Sequence, residues 1–293
     1  MRRWITALLA TTAVVACSGQ PTPAATPSPG LSRFHGNPNL RIGTQADQPG
    51  LGLYDTTTYL WSGLDVDIAN YVMAQLGVPT TPSNPHIYQV LAADREEQLL
   101  NNQKDLIIAN YSITDGRIQQ GITFTVPYLL SYQDILVRGA DKDTIRTVDD
   151  LRGKRVCAGA EGTTPFHHLS TINQERGLGL VLRPEVGTKV CAEKLNAGEV
   201  DAFVSDSAIL LGYLTSYPTL HLVGTKVWPR PEQYGIGLVA HSPADVAELN
   251  TIIRRMIADG SWKRAIIANF CPQPSDSPCH VAQIFLDSPP PVN

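Results

Sequence analysis

The chain has 293 residues, with 23 lysines and arginines against 27 aspartates and glutamates, and its formal net charge is −4. Because it carries no basic stripe, we do not expect a nucleic-acid partner. The residues from about 36 onward are enough for two lobes of ordinary domain size. No stretch after the N-terminus is long and apolar enough to span a bilayer.

The N-terminus, residues 1–16, has the pattern of a secretory signal peptide. Arg2 and Arg3 precede an apolar run, 4–16, that is too short to form a membrane-spanning helix. The end of this run, Val14-Val15-Ala16-Cys17, resembles the lipobox of bacterial lipoproteins, which implies that Cys17 carries a lipid. Residues 17–35 are rich in Pro, Ser and Thr, and we expect them to form an extended tether. The alternative is an ordinary secreted protein with a chance cysteine.

Strands and amphipathic helices alternate along the rest of the chain. The first unit is predicted to contain a strand at 40–44, a loop at 45–53, helices at 64–76 and 94–102, a strand at 105–109, a helix or turn from 112, a loop at 124–129 and a strand at 133–138. The second is predicted to contain helices at 147–151, 165–176, 189–196 and 206–214, and strands at 154–158, 180–185, 201–205 and 220–223. A strand at 235–239, a helix at 245–257 and a final helix from 261 follow, and no element is predicted in the tail. This alternation predicts an α/β fold with mainly parallel sheets, in two lobes separated by a cleft.

The cysteines indicate an oxidising compartment. Without a lipidated Cys17, four remain, and an even number outside the cytoplasm suggests disulfides. Cys271 and Cys279 would close a short loop, which leaves Cys157 to pair with Cys191. Four cysteines allow three connectivities, so the other pairings stay open.

We predict no metal or cofactor, because no cysteine or histidine spacing typical of a metal site occurs. His167 and His168 are adjacent in a predicted helix and would point in different directions. We therefore expect both to be exposed or to face a partner.

Several motifs along the chain resemble those of one known family. They are Ile42-Gly43-Thr44, Ser62-Gly63-Leu64-Asp65-Val66-Asp67-Ile68-Ala69, the run from Asp105 to Arg117, Gly153-Lys154-Arg155-Val156, Gly162-Thr163-Thr164, Gly198-Glu199-Val200-Asp201-Ala202, Tyr234-Gly235-Ile236-Gly237-Leu238 and Ala258-Asp259-Gly260-Ser261-Trp262. In this order they resemble the polar amino-acid group (family 3) of bacterial solute-binding proteins, which supply ABC importers. The loop 47–53 and the cysteine placement look most similar to actinobacterial glutamate- and glutamine-binding lipoproteins.

This resemblance implies a two-lobed periplasmic-binding-protein fold of type II with two hinge crossovers. The first lobe would comprise 36–137 and 232–293, and the second 138–231. The implied protein is a non-enzymatic monomer, anchored by lipid on the outer face of the bacterial cell membrane. It would capture glutamate or aspartate, or else glutamine or asparagine, for an ABC permease. The alternatives are an amino-acid sensor for a membrane signalling protein, or a dehydratase or transglycosylase on the same fold.

The resemblance also implies which groups bind the backbone of a free amino acid. Arg117 matches the family arginine that grips the ligand carboxylate, where a guanidinium can bind bidentately, and Ser112 would add a hydroxyl and a backbone N–H. Thr163 and Thr164 would complete the carboxylate site from the second lobe. Asp206 matches the family's amine-binding aspartate. The simpler alternatives are a surface arginine and ordinary helix N-caps.

The subsite for the ligand side chain is predicted around three further residues. Arg95 would add a second cation that favours glutamate or aspartate, unless it is a solvated helix arginine. Gln45 stands where many relatives carry aspartate, and Asn110 could offer its amide.

Overall fold

The computed structural model describes residues 30–80, 86–271 and 280–291. The predicted signal peptide, Cys17 and Cys279 therefore lie outside the described residues. The strands are β1 Ile42–Thr44, β2 Asp47–Gln48, β3 Gly52–Asp55, β4 Leu60–Ser62, β5 Ile87–Gln89, β6 Leu106–Ile107, β7 Thr123–Phe124, β8 Leu129–Ser131, β9 Gln133–Arg138, β10 Arg155–Cys157, β11 Val181–Arg183, β12 Ala202–Asp206, β13 Leu220–Leu222, β14 Glu232–Tyr234 and β15 Gly237–Leu238. The helices are α1 Leu64–Gln75, α2 Arg95–Leu100, α3 Asp115–Gln119, α4 Thr164–Arg176, α5 Thr188–Asn196, α6 Ser207–Ser216, α7 Pro243–Ala258, α8 Ser261–Phe270 and α9 His280–Leu286, with short 3-10 turns at Gly139–Asp141 and Val148–Leu151.

Two five-stranded sheets define two lobes. The sheet of the first lobe has the order β5-β1-β6-β15-β7, and that of the second has the order β11-β10-β12-β9-β13. Each sheet is mixed, because its first three strands pair in parallel and its other two pairings are antiparallel. The α/β prediction is confirmed, although parallel pairings make up half of each sheet rather than most of it.

The chain passes between the lobes along a two-stranded antiparallel sheet. Strand β8 leads from β7 of the first lobe into β9 of the second, and β14 leads from β13 back into β15. The lobe boundaries predicted at 137/138 and 231/232 fall near these crossings and remain predictions.

Helices cover both faces of the sheets and bury their apolar sides. On the first lobe, α1 buries Ile68 and Val72, while α7 and α8 pack against α1. On the second, α4 buries Leu169 in one core cluster, and α5 buries Leu195 in another. The carboxyl ends of the parallel strands stay uncovered by these helices, which is where open α/β sheets place ligands.

The disulfide between Cys157 and Cys191 is present, with a Cα–Cα distance of 5.6 Å, so this predicted pairing is confirmed. It joins the end of β10 to α5. The predicted partner of Cys271 lies outside the described residues, and that pairing stays a prediction.

The structure corrects several predicted elements. The predicted loop 45–53 contains β2 and the start of β3, paired as a hairpin with Asp47 opposite Leu53. The predicted strand 105–109 shrinks to Leu106–Ile107, which pairs with β1 at two positions and with β15 at one. The tail contains a helix, α9, whose Phe285 packs on Phe270 with ring centroids 4.8 Å apart.

No helix among the described residues is both long and apolar enough to cross a membrane.

Candidate functional site

A cavity lies between the two lobes at the carboxyl ends of their parallel strands. The space between its walls amounts to about 450 Å³ when the part open to solvent is counted, and the centre of a water-sized sphere can occupy about 30 Å³ of it. The first lobe lines it with Gln45, Gln48, Ala92, Arg95, Asn110 and Ser112. The second lobe lines it with Ala158, Gly159, Ala160, Thr163, Thr164, Pro165, Val186, Thr188, Ser205, Asp206 and Ile209.

Arg95 supplies the cation of this cavity. It begins α2, its side chain is buried, and it donates from Nε to the Ala92 carbonyl at 3.0 Å and from Nη1 to the Ala109 carbonyl at 2.9 Å. Burial, and secondarily the nearby Arg117, lower the pKa of Arg95 to about 10, so the guanidinium stays charged at neutral pH. Glu96, its neighbour in the chain, forms its ion pair with Arg117 instead. A buried guanidinium tied only to carbonyls is well suited to an incoming anion.

Asn110 and Ser112 follow β6 and form the next part of the first-lobe wall. Asn110 has a positive φ of 41°, and its backbone N–H donates to the buried Asp65 carboxylate at 2.9 Å. The strand itself has ended three residues earlier, at Ile107. The Ser112 hydroxyl meets the Thr164 hydroxyl of the second lobe at 3.3 Å, so these two predicted residues touch across the cavity.

Asp206 supplies the acid from the second lobe. It ends β12 and occupies the N-cap position of α6 without a side-chain capping hydrogen bond, and 2% of its surface is exposed. Its Oδ2 accepts a hydrogen bond from the Tyr234 hydroxyl at 2.5 Å, while Oδ1 has no partner among the described residues. Burial and the nearby Glu232 carboxylate raise the pKa of Asp206 well above its ordinary value. A cation bound at Oδ1 would oppose both effects.

Thr163 and Thr164 begin α4 where the loop after β10 reaches the cavity. Thr163 is the N-cap residue, but its hydroxyl donates back to the Ala160 carbonyl at 2.7 Å instead of accepting from the helix. The backbone N–H groups of Thr164 and Phe166 therefore lack a side-chain cap, and Pro165 between them has no N–H. The two remaining donors suit an anion at this helix start.

Unpaired polar atoms concentrate in this cavity. Gln45 Nε2, Gln48 Oε1, Asn110 Oδ1 and Asp206 Oδ1 are buried without a hydrogen-bond partner in the described part of the chain. Leaving such an atom unpaired costs about 1–3 kcal/mol. The cavity thus offers both donors and acceptors to a small polar ligand. No cluster of potential metal ligands occurs in 30–80, 86–271 or 280–291.

Arg117 lies beside the cavity instead of in its lining. Its Nε pairs with Glu96 Oε1 at 2.6 Å, and its Nη1 donates to the Ser112 carbonyl at 2.6 Å. Nη2 reaches the Gly162 carbonyl of the second lobe at 3.5 Å. The structure thus brings the other seven predicted ligand contacts to one cavity and leaves Arg117 at its edge, between the lobes.

Several residues of the site were not predicted. Gln48, Thr188 and Ser205 line the cavity, and Glu232 accepts a hydrogen bond from Gln133 at 3.1 Å within the hinge. Ser205 could have been found, because it precedes Asp206 at the end of the same predicted strand. Nothing in the sequence around Glu232 indicates that this residue belongs to the site.

One histidine prediction is wrong. His167 is exposed, as expected, but the His168 ring stacks on Trp228 with centroids 3.8 Å apart and planes 4° apart. Its Nδ1 lies 3.1 Å from Gln133 Oε1. The indole comes from a loop 60 positions along the chain, so helical spacing alone could not indicate this contact.

The β2–β3 hairpin makes a second contact between the lobes. Asp47 Oδ2 accepts from the Lys189 backbone N–H at 3.1 Å, and the Asp47 carbonyl accepts from the Tyr213 hydroxyl at 2.7 Å. The hairpin also lies so close to α6 that a Cβ atom at Gly212 would stand 1.9 Å from the Pro49 carbonyl oxygen. The two lobes are therefore closed onto each other.

Comparisons with known proteins agree with this architecture. The model of the bacterial extracellular solute-binding proteins, family 3, matches residues 40–270. The glutamate-binding protein GluB of Corynebacterium efficiens is 34% identical over 239 residues, which are 80% of this chain and 79% of that protein. The arginine-binding protein 1 of Escherichia coli is 31% identical over 213 residues, 69% of this chain and 79% of its own length.

Among solved structures, an ancestral arginine-binding protein bound to arginine superposes with a TM-score of 0.71 at 27% identity. The match covers 80% of this chain and 100% of that protein. An ancestral arginine-binding protein bound to glutamine gives a TM-score of 0.70 at 26% identity, over 80% of this chain and 98% of the other.

Proposed function

The chain belongs to the bacterial extracellular solute-binding proteins of family 3, and we propose that it captures free glutamate or aspartate for an ABC permease. Its relatives are amino-acid-binding proteins, and the family acts outside the cytoplasm. The observation that carries the proposal is the pairing of Arg95 and Asp206. They are a buried guanidinium and a buried carboxyl group, one from each lobe, and they line the same cavity.

Each polar group of the ligand has a counterpart in this assignment. The ammonium group binds Asp206 Oδ1, and one carboxylate binds Arg95. The other carboxylate lies at the start of α4, between Ser112 and the backbone N–H groups after Thr163, where Arg117 is adjacent. Gln45, Thr164 and Asn110 complete the polar wall.

The charge of Arg95 argues for an acidic ligand over a basic one. Two unit charges 4 Å apart interact by about 4 kcal/mol near a protein surface, so a ligand guanidinium in this cavity would be repelled by Arg95. The neutral side-chain amide of glutamine would not be repelled by Arg95, but it would lack the attraction between Arg95 and a carboxylate. The name of the Corynebacterium relative points to the same ligand.

We also propose that the protein is a monomer that binds without catalysis and is anchored at Cys17 by lipid to the outer face of the cell membrane. Support comes from the lipobox-like residues 14–17 and the tether that follows them. Mass spectrometry of the membrane fraction of expressing cells tests the anchor, because Cys17→Ala should release the chain.

Calorimetric titration of the chain from Ser18 onward with glutamate, aspartate, glutamine and arginine tests the ligand. We expect Arg95→Ala to weaken glutamate binding about 30- to 1,000-fold, because removing one partner of a buried charge pair costs roughly 2–4 kcal/mol. Asp206→Asn should weaken all amino acids. Arg183→Ala is the matched control, because Arg183 is exposed.

Two outcomes would overturn different parts of the proposal. If the wild-type chain binds none of the four amino acids, amino-acid capture is wrong. If it binds glutamate and Arg95→Ala binds it equally well, the acidic-ligand assignment is wrong.

A further inference from the structure

Tyr111 contacts both guanidinium groups near the cavity. The guanidinium carbons of Arg95 and Arg117 each lie 4.6 Å from the centroid of its ring. The two carbons are therefore at most about 9 Å apart, and both cations gain from the negative face of the ring. We propose that Tyr111 is a positioning residue that fixes Arg95 and Arg117 as a pair and thereby selects an amino acid with two carboxylates. This inference rests on the proposed function.

The ring itself is held firmly. Tyr111 is fully buried, and its ring packs edge-on to Phe124 with centroids 4.9 Å apart. On β15, a Cβ atom at Gly237 would stand 2.5 Å from Tyr111 Cε1, so the ring lies directly on the backbone of that strand. It cannot shift toward β15 without displacing the strand.

Each cation is also tied to the first lobe by its own hydrogen bonds. Arg95 donates to the carbonyls of Ala92 and Ala109, and Arg117 donates to Ser112. In the part of the chain that the structure describes, Glu96 is the one carboxylate that forms an ion pair with either arginine. Two buried cations with a single counter-ion repel each other, and the shared ring offsets that repulsion.

The Tyr111 hydroxyl is not needed for this role. It makes no hydrogen bond of normal geometry with the described residues, although Glu96 lies close enough to contribute, after burial, to raising the pKa of Tyr111. The phenol is therefore neutral, and the aromatic face acts on the cations. Removing an unpaired buried hydroxyl does not weaken the fold.

A held pair of guanidinium groups distinguishes ligands by charge. Glutamate and aspartate present two carboxylates separated by a short carbon chain, so one can bind Arg95 while the other lies at the start of α4, next to Arg117. Glutamine presents a single carboxylate and gains from one cation. A loss of the fixed spacing should therefore weaken glutamate more than glutamine.

Titrations of three variants with glutamate and glutamine test the inference. Tyr111→Phe keeps the ring, and both affinities should stay within about threefold of wild type. Tyr111→Leu removes the ring and should weaken glutamate about 10- to 100-fold, which is roughly the contribution of one cation–π contact in a desolvated site. Glutamine should weaken less, so the glutamate-to-glutamine preference should fall at least fivefold.

Gly237→Ala is a second test of the inference, and it leaves the Tyr111 ring in the protein. The added Cβ pushes Tyr111 away from β15, and the same preference should fall even if Tyr111→Leu does not fold. If Tyr111 had only a structural role, its loss would lower the affinities for glutamate and glutamine equally. That result, or an unchanged glutamate-to-glutamine preference in Tyr111→Leu or Gly237→Ala, would overturn the inference. A wild-type chain that binds neither ligand would instead refute the proposed function.

Discussion

The contact between the β2–β3 hairpin and α6 predicts that a single methyl group should hinder closure of the lobes. In Gly212→Ala the new Cβ would stand 1.9 Å from the Pro49 carbonyl oxygen, whereas real Cβ contacts essentially never fall below 3.0 Å. The hairpin must retreat by about 1 Å or more. Because Pro49 contributes a backbone atom, no side-chain rotation can relieve the clash.

The size of the effect follows from this geometry. Overpacking of a tight contact costs on the order of 1–3 kcal/mol. If closure is required for tight binding, glutamate affinity should fall about 5- to 150-fold. With the lobes apart the clash vanishes, and alanine in a helix is about 1 kcal/mol more favourable than glycine. The ligand-free variant should therefore unfold at the same temperature as wild type, or higher.

Gly187→Ala supplies a graded comparison. A Cβ there would stand 2.7 Å from Asp47 Oδ2, the movable end of a side chain. We expect a loss below about fivefold, since the carboxylate can turn away at a cost near 1 kcal/mol. Ser216→Ala, an exposed change on α6, is the control.

Calorimetry gives the affinities, thermal unfolding gives the stability, and small-angle scattering with saturating glutamate gives the overall size. The expected result is weaker binding and a larger radius of gyration in Gly212→Ala, without lower ligand-free stability. Wild-type affinity in this variant would refute the reasoning. A drop in the stability of the ligand-free variant that is large enough to explain the whole loss of affinity would also refute it.

Two further predictions concern stability. Burial, and secondarily His167, lower the pKa of His168 from its ordinary value of 6.5 to about 4. The stability that the neutral ring contributes to the fold is therefore complete above pH 6.5. It is lost as the pH falls from 6.5 toward 4, because the unfolded chain takes up the proton first. His168→Phe, which keeps a ring on Trp228, should remove this pH-dependent loss of stability, which is on the order of 1–2 kcal/mol for a partly solvated imidazole. Urea unfolding of both proteins at pH 7.5 and 4.5 measures the loss. An equal fall in stability in wild type and variant would contradict the prediction. Replacing Cys157 and Cys191 together by alanine opens a loop with a sequence separation of 34 and should cost about 3–4 kcal/mol in urea unfolding. Unchanged stability would show that the crosslink does not restrict the unfolded chain.

The alternation of strands and helices predicted much of the fold. Helices α1, α4 and α5 begin and end within one residue of their predicted limits, because apolar spacing and glycine stops mark them. Strands such as β2 and β7 have two residues each, too few to show an alternating pattern.

The site was predictable where a residue follows a strand and unpredictable where its partner comes from a distant element. Asp206 and Asn110 stand directly after the predicted strands 201–205 and 105–109 and reach the cavity, as expected. For Arg117, sequence predicts a cation but not its ion pair with Glu96, 21 positions earlier. That contact forms because α2 and α3 meet beside Tyr111. Tertiary packing, which local pattern does not encode, decides which arginine lines the cavity.

The left-handed backbone of Asn110 restricts which sequences can occupy this position. At a φ of 41° a β-branched side chain would clash with its own backbone, whereas asparagine, aspartate and glycine tolerate the conformation. The same turn brings the carbonyl oxygens of Ala109 and Asn110 to within 2.9 and 3.4 Å of Arg95 Nη1. A change to valine would thus disturb the guanidinium through the main chain, in addition to removing the Asn110 amide from the cavity wall. We therefore expect natural variation at this position to be restricted to asparagine, aspartate and glycine, even among relatives that bind different ligands.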